Sequence, residues 1–177
     1  MTRLHLGLLQ SRDRGRVAAL LIATEAFSPD EVSVALDIFD ECHPERSEGS
    51  ALPASPDYEF VGAYDEEECL LGYACFGPTP ATDGTYDLYW LAVDPAAQGR
   101  GTGRALVRWV EQELGVRGAR LLVVETSSRP DYAHTREFYA RGGYREVARV
   151  RDFYAPADDR IILTTRLTQL EGGVATR

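Results

Sequence analysis

The sequence predicts a mixed α+β fold: a central, mostly antiparallel sheet that contains one parallel strand pair and is flanked by about four helices. Three segments have apolar residues at three- and four-residue steps, the spacing typical of amphipathic helices, and capping and glycine signals predict a fourth helix. Short strand-like stretches separated by turn residues favour antiparallel hairpins. Residues 119–125 (ARLLVVE) are almost continuously apolar and follow a helix pattern, as expected of a buried strand parallel to the strand before that helix.

Length and composition predict one globular domain. The 177 residues suffice for a full core, so we expect a single domain over residues 1–170 and a tail at 171–177. The chain shows no secretory signal and no apolar run as long as a membrane span, so a cytoplasmic protein without membrane contact is expected. The formal net charge of −9 argues against a nucleic-acid partner.

Cysteine and histidine usage predicts no disulfide and no metal site. Cys42, Cys69 and Cys75 are odd in number and lack C-x-x-C spacing, which favours free reduced thiols. The three histidines are scattered along the sequence.

The first third of the chain predicts a strand, two helices and a loop. Residues 3–9 alternate as in a short strand, and residues 13–26 have helix spacing. Ser28-Pro29-Asp30-Glu31 is a strong helix start, with serine as N-cap, so a second helix should run to about Cys42. Residues 44–56 are rich in proline and serine and predict a flexible loop.

A hairpin and a strand–turn–helix unit follow. Residues 58–64 and 69–76 predict an antiparallel pair joined by an acidic turn. Residues 86–93 predict a strand that Pro95 ends, and a turn with three alternate glycines leads into a helix from Thr102. Gly115 is the expected C-terminal stop of that helix.

The last part of the chain predicts a helix and two strands. Asp131 or Ser128 is the expected cap of a helix over residues 132–141, which should end at Gly142-Gly143. Residues 144–150 and 160–167 predict strands that residues 152–159 (DFYAPADD) separate.

The junction between the glycine turn and the following helix has the chemistry of an anion site. The first N–H groups of a helix have no internal partner, and the helix dipole places positive charge there. Arg100, Arg104 and Arg108 add charge beside it. A P-loop is excluded by the missing Gly-Lys-Ser/Thr, and the dinucleotide pattern is excluded because arginine stands at position 104 where glycine is required.

Gln98-x-x-Gly101-x-Gly103 after Val93-Asp-Pro resembles the pyrophosphate loop of the GCN5-related N-acetyltransferase (GNAT) superfamily, which binds acetyl-coenzyme A. A strand ending at Glu125 and the segment 135–144, with Phe-Tyr139 before Gly-Gly-Tyr, resemble the same family in the same order. The resemblance spans residues 3–167, and the sequence is similar to an uncharacterised bacterial subgroup of the family. It implies a GNAT-like sheet in which the two parallel strands splay apart.

The resemblance also implies site residues. In that family, main-chain groups of the splayed strand hold the acetyl carbonyl and the pantetheine arm, and the glycine turn holds the pyrophosphate. The corresponding strand residues here are Leu91, Ala92 and Val93. The corresponding turn residues are Gln98, Gly99, Arg100, Gly101, Thr102, Gly103 and Arg104.

Two catalytic residues are implied in the same way. Tyr139 matches the tyrosine that protonates the departing thiolate; the alternative is a core aromatic whose hydroxyl has a partner. Asp87 matches the carboxylate that the histone-acetyltransferase branch uses as general base; the alternative is a solvated strand residue. Tyr132 stands where the family often carries an asparagine that contacts the cofactor.

The sequence therefore favours an enzyme that transfers acetyl from acetyl-coenzyme A to a primary amine by direct attack, because no cysteine lies in a motif for a covalent intermediate. The alternative is an inactive acyl-coenzyme A-binding sensor or partner module of the same fold. A nucleotide-dependent transferase is disfavoured by the missing lysine of a P-loop. The acceptor, a small-molecule or peptide amine, is left open, and so is a homodimer.

Overall fold

The computed structural model of the protein describes residues 4–43 and 58–168. Within them the chain forms four α-helices and seven β-strands. The helices are α1 (Arg14–Ala23), α2 (Pro29–Cys42), α3 (Thr102–Val116) and α4 (Ala133–Arg141). The strands are β1 (His5–Leu8), β2 (Glu59–Tyr64), β3 (Leu70–Pro78), β4 (Thr85–Val93), β5 (Leu121–Ser127), β6 (Arg145–Ala155) and β7 (Asp158–Arg166). The predicted loop at 44–56 and tail at 171–177 lie outside the described residues.

The described strands form one sheet in the order β1-β2-β3-β4-β5-β7-β6. The pairs β1–β2, β2–β3, β5–β7 and β6–β7 are antiparallel. β4 and β5 are parallel, from Thr85 opposite Leu121 to Leu88 opposite Val124. The predicted fold class, a mostly antiparallel sheet with one parallel pair and about four helices, is confirmed. The parallel ladder ends at Leu88, although β4 itself continues to Val93.

The chain forms two compact units. One contains the described part of Met1–Gly77 together with Trp90–Val110, and the other contains Pro78–Tyr89 and the described part of Glu111–Arg177. The single domain over residues 1–170 stays a prediction. In the described part of the chain, no helix has the length and apolar character that a membrane crossing requires.

The core of the first unit lies where α1 and α2 cover aromatic residues of β2 and β3. Phe39 of α2 is fully buried, stacks on His43 at 4.2 Å and meets Phe60 edge-on at 5.0 Å between ring centroids. Cys75 is a free thiol in this core, and burial raises its pKa. The buried side chains of both helices recur at three- and four-residue steps, which is the helix spacing predicted from the sequence.

The start of α2 confirms the predicted capping box. The Glu31 N–H donates to the Ser28 hydroxyl at 3.3 Å, and the Ser28 N–H donates to the Glu31 carboxylate at 2.8 Å. Pro29 occupies the first helical position, where its missing N–H costs no hydrogen bond. Two of the unpaired donors at this helix start are thus satisfied locally.

The expected stop of α3 at Gly115 is wrong. The helix continues to Val116, and Gly118 has the positive φ of 78° that ends it. Gly115 is required for space instead, because a Cβ there would lie 2.7 Å from the carbonyl oxygen of Thr168. Gly115 and Thr168 are far apart in sequence, so no local sequence pattern predicts this contact.

The expected cap of α4 by Ser128 or Asp131 is also wrong. The Ser128 hydroxyl accepts the N–H of Asp159 at 2.8 Å, and Asp131 pairs with Arg129 at 2.6 Å. A short 3-10 turn, Pro130–Tyr132, leads into the helix without a side-chain cap. Both side chains are drawn to partners other than the helix start.

Residues 152–159, predicted as a connection, belong mostly to β6 and β7. Only Pro156 and Ala157 form the turn between the strands. The Asp152 N–H donates to the Asp159 carboxylate at 3.1 Å, and the Ala157 N–H donates to the Asp152 carboxylate at 2.6 Å. The carboxylates replace ladder hydrogen bonds where the strand register shifts, so polar residues extend the hairpin.

Candidate active site

The end of β4 is fixed by Asp94. Its carboxylate accepts the N–H of Ala96 at 2.7 Å, and its carbonyl oxygen accepts the N–H of Ala97 at 2.8 Å. The Asp94 N–H donates to the carbonyl oxygen of Leu71 on β3 at 2.8 Å. The 3-10 turn Pro95–Ala97 therefore begins at a point that is tied to the neighbouring strand.

Two polar side chains of the predicted cofactor loop hold the loop itself. The Gln98 amide donates to the carbonyl oxygen of Val93 at 3.1 Å. The Thr102 hydroxyl, in a side chain only 2% exposed, donates to the carbonyl oxygen of Ala97 at 3.4 Å. The structure thus uses these side chains to brace the turn, which leaves anion contacts to main-chain groups.

The glycines at 99 and 101 are required by backbone conformation. Their φ angles are 71° and 90°, a region that costs other residues roughly 1–2 kcal/mol. A Cβ at either position would meet nothing within 4 Å, so the space beside them is open. Gly103 differs from these two, because it lies half-buried in the first turn of α3.

Two main-chain donors at the start of α3 have no acceptor among residues 4–43 and 58–168. The first hydrogen bond of the helix runs from the Ala105 N–H to the carbonyl oxygen of Gly101 at 2.9 Å. The N–H groups of Thr102 and Gly103 precede it, and within the described part of the chain neither makes a hydrogen bond. The helix dipole adds partial positive charge at this end.

Charged and apolar residues flank these donors. Arg100 and Arg108 are exposed and Arg104 is half-buried, so all three add positive charge to the segment. On the β4 side, Leu91 and Val93 are half-buried, whereas Ala92 is 1% exposed. The first unit therefore brings the ten predicted cofactor-binding residues into one continuous strand–turn–helix segment.

Tyr139 is placed by the C-terminal end of α4. Gly143 has a φ of 90°, and its N–H donates to the carbonyl oxygen of Ala140 at 3.0 Å. The Tyr144 N–H donates to the carbonyl oxygen of Tyr139 at 3.1 Å, which completes a Schellman motif. The apolar contact that accompanies this motif is here the edge-on packing of the Tyr139 and Tyr144 rings, 5.2 Å apart.

The environment of Tyr139 favours a protonated hydroxyl. The side chain is 4% exposed, and burial raises its pKa, so it carries its proton at neutral pH. Burial alone accounts for this shift, and no hydrogen bond from a described residue to the Tyr139 hydroxyl contributes to it. The neighbouring Tyr144 hydroxyl donates to the Glu111 carboxylate at 2.8 Å. Tyr139 is therefore a protonated phenol that packs against a second tyrosine, Tyr144, whose own hydroxyl donates to Glu111.

Asp87 lies in the paired part of β4, opposite Val123 of β5, and is half-buried. One of its carboxylate oxygens accepts the hydroxyl of Thr79 at 2.5 Å. Asp87 is therefore a half-buried carboxylate with one oxygen oriented by a hydrogen bond, and its role stays a prediction. Sequence reasoning did not single out Thr79, because nothing in the letters links it to Asp87.

The comparisons with known proteins agree with this geometry. A family model described as an acetyltransferase (GNAT) domain matches residues 56–146. The crystal structure of a GNAT-family protein from Desulfovibrio desulfuricans has 39% sequence identity and a TM-score of 0.84, and the match covers 94% of this chain and 100% of that one. The chain therefore belongs to the GNAT acetyltransferase family. A comparison of the sequence with curated proteins gives no match.

More distant structures share the fold. The ribosomal-protein-S18-alanine N-acetyltransferase from Escherichia coli has 21% identity and a TM-score of 0.70 over 98% of this chain and 100% of its own. An aminoglycoside 6'-N-acetyltransferase complexed with coenzyme A has 16% identity and a TM-score of 0.69 over 92% of this chain and 97% of its own.

The glycine turn yields a prediction with a matched control. Gly101→Glu should abolish the thermal stabilisation by acetyl-coenzyme A, because it places bulk and negative charge beside the unpaired donors. Gly118→Glu introduces the same residue at a similar positive φ with equally open space, but at the C-terminal end of α3. We expect it to lose similar stability and to keep the ligand-induced shift, measured by thermal unfolding; equal shifts in both variants would refute the loop assignment.

Proposed function

We propose that the protein is an N-acetyltransferase that transfers the acetyl group of acetyl-coenzyme A to a primary amine by direct attack. The observation that carries the proposal is the pair of unpaired N–H groups at Thr102 and Gly103, directly behind a glycine turn. An anion of diphosphate type satisfies such donors. Membership of the GNAT family supports acetyl-coenzyme A as the source of that diphosphate.

The residues present fit this cosubstrate. Main-chain groups from 99 to 104 would hold the pyrophosphate, and the arginines at 100 and 104 would add charge-assisted contacts. β4 supplies the other part of the binding site, because the parallel ladder ends at Leu88 and main-chain groups of Leu91, Ala92 and Val93 are outside it. When bound, acetyl-coenzyme A supplies the acetyl group as an activated thioester.

Tyr139 would act as the general acid. Its hydroxyl remains protonated, because burial raises its pKa and no hydrogen bond from a described residue contributes to that shift. A thiol with a pKa near 8.5 is a tolerable leaving group, so proton donation to the sulfur contributes within the usual range of about 10² to 10⁴ in rate.

Asp87 would assist deprotonation of the acceptor. An alkyl amine with a pKa near 10.4 is neutral in only about one part in 2,500 at pH 7, a cost of about 4.6 kcal/mol. The Thr79 hydroxyl fixes one carboxylate oxygen of Asp87 and leaves the other to attract an ammonium group or to orient a water molecule.

The acceptor is a primary amine in this proposal. The two distant structures are named for quite different acceptors, an alanine of a ribosomal protein and an aminoglycoside. At 21% and 16% identity they share the fold with this chain, and the fold does not choose between such acceptors. Cys42, Cys69 and Cys75 form no disulfide within the described part of the chain, which fits a reducing compartment, and we propose a cytoplasmic enzyme.

Thermal unfolding and thiol release together test the function. Acetyl-coenzyme A at about 100 times its Kd should stabilise the protein by about 2.7 kcal/mol, whereas ATP should not. A panel of alkylamines, aminoglycosides and peptides with N-terminal alanine should then contain an acceptor that releases free coenzyme A thiol. If acetyl-coenzyme A stabilises the protein but no acceptor in the panel leads to thiol release, the inactive binding module is favoured. If acetyl-coenzyme A does not stabilise the protein, it is excluded as the cosubstrate.

Tyr139→Phe should lower kcat by about 10² to 10⁴ and leave the Kd of acetyl-coenzyme A unchanged, because only the proton donor is lost. Tyr144→Phe is the matched control, since it removes a neighbouring tyrosine hydroxyl that already donates to Glu111. That control should lose about 1 kcal/mol of stability and little activity. If both variants have the same kcat, Tyr139 is a core aromatic.

Asp87→Asn should depress kcat/KM most at low pH, where the amine is almost fully protonated, and less at high pH, where it deprotonates without help. The measurement is the pH profile of kcat/KM for both proteins from about pH 6 to about pH 11, a range that spans the amine pKa near 10.4. Thr79→Val, which keeps the carboxylate and removes its hydroxyl partner, should preserve the shape of the profile. A constant ratio between Asp87→Asn and the parent protein would contradict the role.

A further inference from the structure

Gly72 is a buried glycine of β3 that is not explained by backbone conformation. It pairs with Ala63 of β2 in the antiparallel ladder, and its φ does not lie in the left-handed region. Another residue could adopt its conformation without strain. The requirement for glycine must therefore come from the space around it.

That space is occupied by the main chain of β4. A Cβ on Gly72 would lie 2.8 Å from the carbonyl oxygen of Ala92 and 3.3 Å from the Cα of Val93. It would also lie 3.3 Å from the Cδ1 of Leu106. Carbon and carbonyl oxygen in contact normally stay about 3.3–3.6 Å apart, so a methyl group requires the strands to separate.

The main chain at Ala92 and Val93, which a Cβ on Gly72 would crowd, also leads directly into the glycine turn. The neighbouring Leu71 carbonyl accepts the N–H of Asp94, and the Val93 carbonyl accepts the side chain of Gln98. If Ala92 and Val93 are displaced, Asp94 before the 3-10 turn and Gln98 after it must therefore move as well. β3 cannot yield easily in the opposite direction, because the β2 ladder holds it there.

We propose that Gly72 is a positioning residue for acyl-coenzyme A, one that sets how closely the end of β4 approaches β3 and thereby where the turn presents its N–H donors. The inference rests on the proposed function. Gly72 itself contacts no ligand; it acts through the main chain of Ala92 and Val93. Hydrogen bonds weaken steeply when distance and angle depart from the optimum, so a displaced turn would hold the pyrophosphate less well.

Gly62 provides a matched control in the same hairpin. It is buried, it pairs with Tyr73 at the ladder position next to Gly72, and its Cβ would also meet atoms within 3.0 Å. Those atoms, however, are side-chain carbons of Leu9, Leu70 and Tyr64. An alanine at Gly62 therefore disturbs packing in the same hairpin without pressing on the β4 main chain.

The test measures the Kd and KM of acetyl-coenzyme A for Gly72→Ala and Gly62→Ala, with thermal unfolding to confirm that both fold. We expect Gly72→Ala to raise both constants about tenfold or more, with a smaller change in kcat, and Gly62→Ala to leave them within about threefold. Equal constants in the two variants would overturn the positioning role. A parent protein that does not bind acetyl-coenzyme A would instead refute the proposed function.

A second variant covers the case in which Gly72→Ala does not fold. Gly72→Ala/Leu106→Val shortens the side chain on one side of the new methyl group and leaves the Ala92 carbonyl on the other. Removing the contact with Leu106 should recover part of the lost stability, while the remaining contact with the Ala92 carbonyl should still weaken acetyl-coenzyme A binding about tenfold relative to Leu106→Val alone. Affinity equal to that of Leu106→Val would overturn the proposal, because the crowding would then come from the leucine.

Discussion

The first N–H groups of α3, at Thr102 and Gly103, have no acceptor among the described residues, and the turn before the helix depends on that constraint. An unpaired donor is costly when buried, so the turn before the helix keeps it beside open space. The polar groups that could have satisfied the donors are used elsewhere: Asp94, Gln98 and Thr102 all bond within the turn. The loop is held by hydrogen bonds between its own side chains and main chain, and these leave the N–H groups at the start of α3 available for an anion.

Helix ends also place the candidate acid. The Schellman motif at the end of α4 uses Gly143 to reverse the chain, and the reversal brings Tyr144 back onto the ring of Tyr139. A glycine with positive φ therefore has a chemical consequence in both units. At Gly101 it exposes main-chain donors, whereas at Gly143 it buries an aromatic ring and raises the pKa of its hydroxyl.

Most residues of the proposed site would serve the donor half of the reaction. In that proposal the strand–turn–helix segment and Tyr139 would serve the cosubstrate, and Asp87, held by Thr79, would serve the acceptor. Proteins of the same fold are named for a ribosomal protein and for an aminoglycoside. A shared fold is therefore compatible with quite different acceptors, and family membership does not identify the acceptor of this chain.

The sequence by itself determined the fold class, the capping box at Ser28 and the glycine turn before α3, because these depend on periodicity and on neighbours within a few residues. It failed at Gly115 and at residues 152–159, where distant partners override the local signal. Only the tertiary structure decided that Thr79 holds Asp87 and that Gly72 lies against the Ala92 carbonyl. Periodicity tells which face of a strand is buried, but the atoms that meet across two strands depend on register and on the separation of their main chains.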